Sequence, residues 1–276
     1  MTNTRHHHTL LDGRVELLII DPQNDFSDAP GAALPVPGAC ADGERLAALI
    51  DRLRDRLEDI HVTLDTHQLV DIAHPIFWVD SEGNPPMPFT QISREAVARG
   101  DWRPRNPAFG QRALAYVQAL ADNGRYELTI WPPHCLVGTW GHNVVAPVVE
   151  ALRRWEEGFA RVDYVTKGHN PWTEHYSAIQ ADVPDPEDPT TQLNTRLIQA
   201  LERADTVLLS GQALSHCVAN TVRDIADNFG AASIGKLVLL EDTSSPVPGF
   251  EALGEQFLAD LTRRGMRTAR AAEMLA

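Results

Sequence analysis

The chain has 276 residues, of which 43% are hydrophobic and 22% are charged. This composition is ordinary for a globular protein and excludes a fibrous or largely disordered chain. No apolar run approaches the roughly 20 residues that a membrane span needs. The formal net charge of −14 argues against nucleic acid and anionic membranes as partners, because both bind clusters of lysine and arginine. We expect a cytoplasmic protein that acts on a small molecule, since the N-terminus also lacks the apolar segment of a signal peptide.

Short apolar segments alternate with segments of helical periodicity along the whole chain. The pattern predicts strands at 15–21, 60–65, 126–131, 161–167, 206–211, 235–241 and 266–269, of which 126–131 is a short extra strand. It predicts helices at 43–57, 111–123, 144–159, 193–204, 217–228 and 250–264. Alternation of this kind is typical of a mainly parallel sheet with helices on both faces. The predicted fold class is therefore a three-layer α/β/α architecture with a roughly six-stranded sheet.

We see no repeat and no boundary that divides the chain, so residues 1–276 are predicted to form a single domain. Residues 1–12 are polar, include three successive histidines and are predicted to be a disordered tail. The proline- and glycine-rich stretch at 81–105 is predicted to be an irregular loop. It falls within a segment at about 79–125 that is predicted to be an insertion or lid.

Charged and nucleophilic side chains follow the ends of several predicted strands. Asp21, Asp65 and Lys167 each end a strand, and Cys217 begins the helix after another. In open α/β sheets ligands bind outside the carboxyl ends of the strands, so these side chains are expected to converge. Taken singly, each of them is more typical of a surface charge or a helix cap.

Cys217 is one of three cysteines, which are too few and too scattered for a disulfide framework. A helix N-terminus is expected to lower the pKa of its thiol and make it a nucleophile. The alternative is a small buried residue that packs the helix on the sheet. His216 is adjacent, but neighbours in a helix project about 100° apart and do not face each other. We therefore favour Asp21 as the base.

Asp65 and His67 are separated by one residue, and His74 and His134 follow. Carboxylate and imidazole together suit zinc, iron or manganese. An Asp-x-His pair alone is more often a polar turn, so the residues themselves leave the metal site open.

Five segments together resemble the nicotinamidase branch of the isochorismatase-like cysteine hydrolases, over roughly 14–245. They are 17–26 (LLIIDPQNDF), 65–67 (DTH), 131–138 (WPPHCLVG), 167–168 (KG) and 210–218 (SGQALSHCV). Their order and content both agree with the family. Leu214 and Ser215 depart from the Thr-Asp pair that often precedes the nucleophile, and the 79–125 segment is unusually long.

The resemblance implies a thioester mechanism on a small amide, with roles for particular residues. The implied catalytic residues are Asp21, Lys167 and Cys217, with the backbone amides of Ala213 and Cys217 as oxyanion hole. A cis peptide bond is implied between Gln212 and Ala213. The implied substrate contacts are Phe26, Trp131 and Tyr176, and the implied ligands of one divalent metal are Asp65, His67, His134 and His74. Zinc is the first expectation for that ion, with iron and manganese as alternatives.

Three readings of the function remain at this point. The first is a nicotinamidase-type amidase. The second is a related cysteine hydrolase for another small amide, such as an N-carbamoyl or ureido compound, for which the metal motif is dispensable. The third is a catalytically silent binding or scaffold protein. A small amide is the only partner expected, apart from a homo-oligomer, which is usual in the family and rests on the resemblance alone.

Overall fold

The structure is a computed structural model that describes Leu11, residues 13–124 and residues 126–274. The predicted tail at 1–12 lies outside the described residues except for Leu11, whose side chain is buried. Across the described residues, no helix combines the length and apolar character needed to cross a bilayer.

Ten strands and seven α-helices make up the described chain. The strands are β1 Val15–Ile20, β2 Leu57–Asp65, β3 Trp78–Val79, β4 Gln91–Ile92, β5 Arg103–Pro104, β6 Leu128–Thr129, β7 Asp163–Lys167, β8 Thr206–Gly211, β9 Leu237–Leu240 and β10 Arg267–Ala269. The helices are α1 Ala39–Arg52, α2 Arg94–Arg99, α3 Gly110–Asn123, α4 Ala146–Glu156, α5 Thr195–Glu202, α6 Ala219–Asn228 and α7 Glu251–Arg264.

Six of these strands form one parallel sheet in the order β10-β9-β8-β1-β2-β7. Its central strand β1 is buried along its whole length, as expected where helices cover both faces of a parallel sheet. Because successive side chains point to opposite faces, Leu17 and Ile19 enter one hydrophobic core and Leu18 and Ile20 enter the other. The predicted three-layer fold is confirmed.

The two cores receive different helices. Helices α1 and α4 supply buried side chains to the smaller core, and α3, α5, α6 and α7 supply them to the larger one. The predicted end of the first helix was wrong by five residues. Leu53 and Leu57 have helical spacing, but Leu57 pairs with Val15 in the sheet, because strand pairing overrides a local helical pattern at this point.

The 79–125 segment is more regular than its composition indicated. It contains α2, α3 and three of the strands that form two small antiparallel sheets, in which β3 pairs with β5 and β4 pairs with β6. Tyr116, Val117 and Leu120 of α3 are buried in the larger core. The segment therefore packs against the larger core, and its action as a lid stays a prediction, as does the single domain.

Candidate active site

Four neighbouring strands of the sheet, β7, β2, β1 and β8, deliver charged or nucleophilic side chains to one edge. Lys167 and Asp65 end β7 and β2, Asp21 follows β1, and Cys217 lies six residues after β8. The Nζ atom of Lys167 lies 2.9 Å from Oδ2 of Asp21 and 3.7 Å from Sγ of Cys217. Ligand atoms of Asp21, Asp65 and Cys217 all lie within 4.8 Å of one another. The structure thus brings together the three residues predicted to be catalytic.

Lys167 is the buried cation of this group, and its Nζ atom is also 3.0 Å from Oδ1 of Asp65. Burial lowers the pKa of Lys167, but Asp21 and Asp65 raise it by more, so the ammonium stays protonated. For Asp21 the effects have the opposite sign. Burial raises its pKa, Lys167 lowers it by less, and the pKa of Asp21 therefore lies above its ordinary value. A carboxylate of raised pKa beside a thiol is suited to general-base chemistry.

Asp21 is fixed in place by its backbone and by Thr63. Its φ of 46° is uncommon for a residue other than glycine. The hydroxyl of Thr63 donates to Oδ1 of Asp21 at 2.5 Å, and the backbone amide of Asp21 donates to the Thr63 hydroxyl at 3.0 Å. Oδ2 is thereby left on the side of Lys167.

The environment of Cys217 differs from the sequence-based expectation. A π-helical turn over Leu214–Val218 precedes α6, so Cys217 is not the first residue of an α-helix. Burial raises the pKa of the Cys217 thiol well above its ordinary value, although Lys167 lowers it. The prediction of a lowered pKa was therefore wrong, because loss of hydration outweighs the nearby cation. A resting thiol needs a base before it can attack.

The peptide bond between Gln212 and Ala213 is cis, as predicted. The backbone amide of Ala213 has no hydrogen-bond acceptor in the part of the chain that the structure describes, and Cys217 follows it in the π-helical turn. Gly211, with a φ of 121°, precedes this bond, and a Cβ atom there would lie 1.9 Å from the Ile20 carbonyl oxygen. An unpaired amide beside a nucleophile is what an oxyanion hole requires.

A second cluster lies beside the first. Asp65, His67 and His134 each place a ligand atom within 4.8 Å of the other two. The Nε2 atoms of His67 and His134 are 3.2 Å and 3.5 Å from Oδ2 of Asp65. Burial lowers the pKa of His67, but the carboxylates of Asp65 and Asp71 raise it well above its ordinary value. The cluster therefore favours positive charge at its centre.

Nδ1 of His67, His134 and His74 bonds to a neighbouring group, which leaves Nε2 of each ring as the atom available to a metal ion. Nδ1 of His67 bonds to Asp71 at 3.1 Å, and Nδ1 of His134 donates to the carbonyl of Pro132 at 2.9 Å. His74, whose ring centroid lies 5.2 Å from that of His67, donates from Nδ1 to the carbonyl of Leu69 at 3.2 Å. Metal-binding histidines are typically oriented in this way. The buried Nε2 atoms of His67 and His74 have no hydrogen-bond partner among the described residues, so the donor set fits a divalent cation.

A small pocket, with a cavity volume of about 20 Å³, opens beside Cys217. Its lining includes the three residues predicted to contact substrate, Phe26, Trp131 and Tyr176. The indole N–H of Trp131 donates to the hydroxyl of Tyr176 at 2.8 Å. Asp65 and His134 of the metal cluster line the same pocket, which therefore has an aromatic wall and a polar wall.

His216 also lines this pocket, although the sequence offered it only as a rejected base. Its ring lies 5.1 Å from Trp131 and 5.3 Å from Tyr176, measured between centroids. Burial lowers the pKa of His216 to about 4, so the imidazole is neutral near pH 7. Leu34 and Val247 complete the apolar part of the wall. No motif marked these two residues, because each comes from a loop whose path only the fold determines.

Known proteins resemble this chain in sequence and in fold. No family model matches the chain. A curated nicotinamidase of Saccharomyces cerevisiae is 26% identical over 238 residues, which cover 84% of this chain and 88% of the yeast protein.

Two solved structures illustrate the shared fold. A nicotinamidase pyrazinamidase of Acinetobacter baumanii superposes with a TM-score of 0.63 at 21% identity, covering 95% of this chain and 98% of the other. A pyrazinamidase of Pyrococcus horikoshii in complex with zinc has a TM-score of 0.56 at 19% identity, covering 94% and 99%. The resemblance to this branch that the motifs indicated is confirmed.

Proposed function

We propose that this relative of the nicotinamidases is a metal-dependent cysteine amidohydrolase that converts nicotinamide, or a close heteroaromatic amide, to the acid and ammonia. The observation that carries the proposal is the meeting of Cys217, Asp21 and Lys167 at one edge of the sheet, within ion-pair and hydrogen-bond distances. The yeast relative is a nicotinamidase, and a structure of the yeast enzyme holds the inhibitor nicotinaldehyde. A carbonyl inhibitor of this kind suits a site built around a thiol.

Acylation begins when Asp21 accepts the proton of the Cys217 thiol and the sulfur attacks the amide carbonyl carbon. The carbonyl oxygen becomes an oxyanion, which the backbone amides of Ala213 and Cys217 stabilise. As the carbon–nitrogen bond breaks, Asp21 returns the proton to the departing nitrogen, and ammonia leaves. The product of this half-reaction is a thioester on Cys217.

Deacylation repeats these steps with water as the nucleophile. Asp21 takes a proton from water, the hydroxide oxygen adds to the thioester carbon, and the carbon–sulfur bond breaks. The sulfur recovers its proton and the acid is released. Lys167 stabilises the negative charge of the Asp21 carboxylate and of the Cys217 thiolate in both half-reactions. Its ammonium lies 2.9 Å from the carboxylate and 3.7 Å from the sulfur.

The proposed metal site consists of Asp65, His67 and His134, with His74 as a fourth candidate ligand. A divalent ion held there would supply an electrophilic contact for the ring nitrogen of the substrate, directly or through water. We propose zinc, since imidazole and carboxylate suit it and the Pyrococcus horikoshii protein is in complex with zinc; iron and manganese share this ligand preference.

The metal cluster also favours nicotinamide over the second reading. Asp65 and His134 line the same pocket as Phe26 and Trp131. Two aromatic faces suit a flat ring, and the metal cluster suits a ring nitrogen at its edge. An N-carbamoyl or ureido compound offers neither feature. We further propose a cytoplasmic location, no nucleic-acid or membrane partner, and a homo-oligomer that rests on the family resemblance alone.

The central test is the change Cys217→Ala. We expect loss of ammonia release from nicotinamide, because no other group in the site can form the thioester. The matched control is Cys40→Ala, since Cys40 is an exposed thiol and its loss is expected to leave the rate unchanged. Ammonia release and thermal unfolding should be measured for both variants. A folded Cys217→Ala protein with wild-type turnover would falsify the thioester mechanism.

The metal site is tested by His134→Ala. This change removes a proposed ligand and keeps the ion pair between Lys167 and Asp65. We expect the purified variant to hold at least about 10-fold less metal, measured by elemental analysis, as for other lost metal contacts. The control is His169→Ala, because His169 is an exposed histidine near the site. Equal metal content in all three proteins contradicts the assignment.

A further inference from the structure

The cis peptide segment 212–214 is tied to α1 and to a second loop by side chains outside the reacting centre. The amide side chain of Gln212, which is buried, makes two hydrogen bonds. Its Nε2 atom donates to Oδ2 of Asp42 at 2.8 Å, and its Oε1 atom accepts from the backbone amide of Ser245 at 3.2 Å. Both polar atoms of this side chain are thus satisfied, which fixes its rotamer.

Asp42 is the centre of this arrangement. It lies on α1 and is 3% exposed, so its carboxylate is a buried charge. Oδ2 accepts a second hydrogen bond from the Ser245 hydroxyl at 2.7 Å, and Oδ1 accepts from the Arg45 guanidinium at 2.6 Å. A buried carboxylate that accepts three hydrogen bonds is held in one orientation, because turning it would leave part of its charge without compensation.

Ser245 extends the contact to the next residue of the nucleophile segment. Its carbonyl accepts from the backbone amide of Leu214 at 2.9 Å. The Gln212 side chain and the Leu214 amide are therefore both held, one on each side of Ala213. The amide of Ala213 has no acceptor among the described residues, so its direction depends on the contacts that hold the segment around it, these two among them.

We propose that Asp42, through Gln212 and Ser245, is the positioning residue that aims the Ala213 amide into the oxyanion hole. The inference deepens the proposed function and rests on it. Asp42 does not line the pocket that contains Cys217, so its effect reaches the reaction only through the segment that it holds. A hydrogen-bond donor raises kcat when it binds the developing oxyanion more strongly than it binds the carbonyl oxygen of the ground-state amide. A change in the direction of the Ala213 amide should therefore affect kcat more than KM.

The test compares Asp42→Ala, Asp42→Asn and Gln212→Met. Removing an oxyanion donor outright typically costs about 10²–10³ in kcat, so we expect a misdirected donor to lower kcat by about 10- to 100-fold with KM within about twofold. Asp42→Asn retains one acceptor for Gln212 and should recover most of the rate. The double variant Asp42→Ala with Gln212→Met should be no slower than the slower single variant, because both changes break the same hydrogen bond between Asp42 and Gln212.

A second measurement separates positioning from general damage. Pyridine-3-carbaldehyde forms a tetrahedral adduct when the Cys217 sulfur bonds to its carbonyl carbon and the thiol proton passes to Asp21. Its affinity should fall by the same factor as kcat in Asp42→Ala and Gln212→Met, whereas the affinity for nicotinate should not change. Arg45→Gln is the control, since it removes the ion pair of Asp42 and leaves the bonds to Gln212 and Ser245. Thermal unfolding shows whether each variant is folded.

The outcomes are distinct. Unchanged kcat and aldehyde affinity in folded Gln212→Met overturns the positioning role, even where Asp42→Ala fails to fold. Equal loss of aldehyde and nicotinate affinity also overturns it, because the whole pocket has then been distorted. Absence of ammonia release by the wild-type protein overturns the proposed function instead. The aldehyde measurement needs no amide turnover, so it still decides the positioning role in that case.

Discussion

At the scale of one residue, Gly168 directly follows β7 and shows why Lys167 is succeeded by a glycine. Its φ is 79°, a region that side chains of L-residues rarely adopt. A Cβ atom there would lie 2.7 Å from Oδ1 of Asp65 and 3.2 Å from Cε1 of His67. Because glycine has no side chain, Asp65 and His67 can occupy the space that a Cβ atom would fill.

We expect Gly168→Ala to lower both metal content and kcat, because the added methyl group displaces Asp65 from Lys167 and from the histidines. The matched control is Gly100→Ala, which has a φ of 82° and open space around its Cβ position. Both variants incur the backbone cost of about 1–2 kcal/mol, but only Gly168→Ala should lose metal. Elemental analysis and ammonia release test this, and equal metal content in the two variants contradicts it.

At the scale of elements, a buried histidine connects three strands at the sheet edge remote from the catalytic residues. Nδ1 of His61 on β2 lies 2.9 Å from Asp163 on β7, and Nε2 lies 3.3 Å from Glu16 on β1. Arg14 in turn pairs with Glu16 at 2.8 Å. Burial lowers the pKa of His61, but the two carboxylates raise it by more, so the pKa lies above its ordinary value. The protonated ring is a cross-link between strands.

The raised pKa makes this cross-link dependent on pH. A group whose pKa is higher in the folded state stabilises fully below its unfolded pKa of about 6.5, and the contribution is lost as pH rises through the folded value. We expect His61→Gln to lower the free energy of unfolding more at pH 5.5 than at pH 9. Urea unfolding of wild type and variant at both values measures the difference. A cost that is equal or larger at pH 9 contradicts the assignment.

At the scale of the whole molecule, the sheet separates two hydrophobic cores, and the candidate site lies at its carboxyl edge. Leu152 of α4 is 1% exposed in the smaller core. Cys217, Trp131 and Phe26 belong to the larger core. The nucleophile and the pocket therefore lie on the opposite face of the sheet from the smaller core.

This separation predicts the effect of Leu152→Ala. We expect the free energy of unfolding to fall by about 2–5 kcal/mol, the usual cost of a cavity in a packed core. The kcat of the folded protein should stay within about twofold of wild type, since a distant cavity leaves the site geometry intact. The control is Leu193→Ala, whose side chain is 39% exposed. A large loss of kcat with little loss of stability would refute the separation.

The fold class could be predicted from the sequence because alternating apolar strands and amphipathic helices have few stable arrangements. The same rule placed Asp21, Asp65 and Lys167 at one edge, since the carboxyl ends of parallel strands share it. The end of α1 and the path of the 79–125 segment were less predictable. Both depend on contacts between residues far apart in the chain, such as the pairing of Leu57 with Val15.

The sequence by itself determined the residue types that carry the proposed chemistry and their order along the chain. Only the tertiary structure decided the direction in which the pKa of Cys217 shifts, because burial is a property of the packed site and outweighs the nearby ammonium of Lys167. It also decided which side chains surround the chemistry. Asp42 is separated from Gln212 by 170 residues, and no local pattern links residues that meet only when α1 packs beside β8.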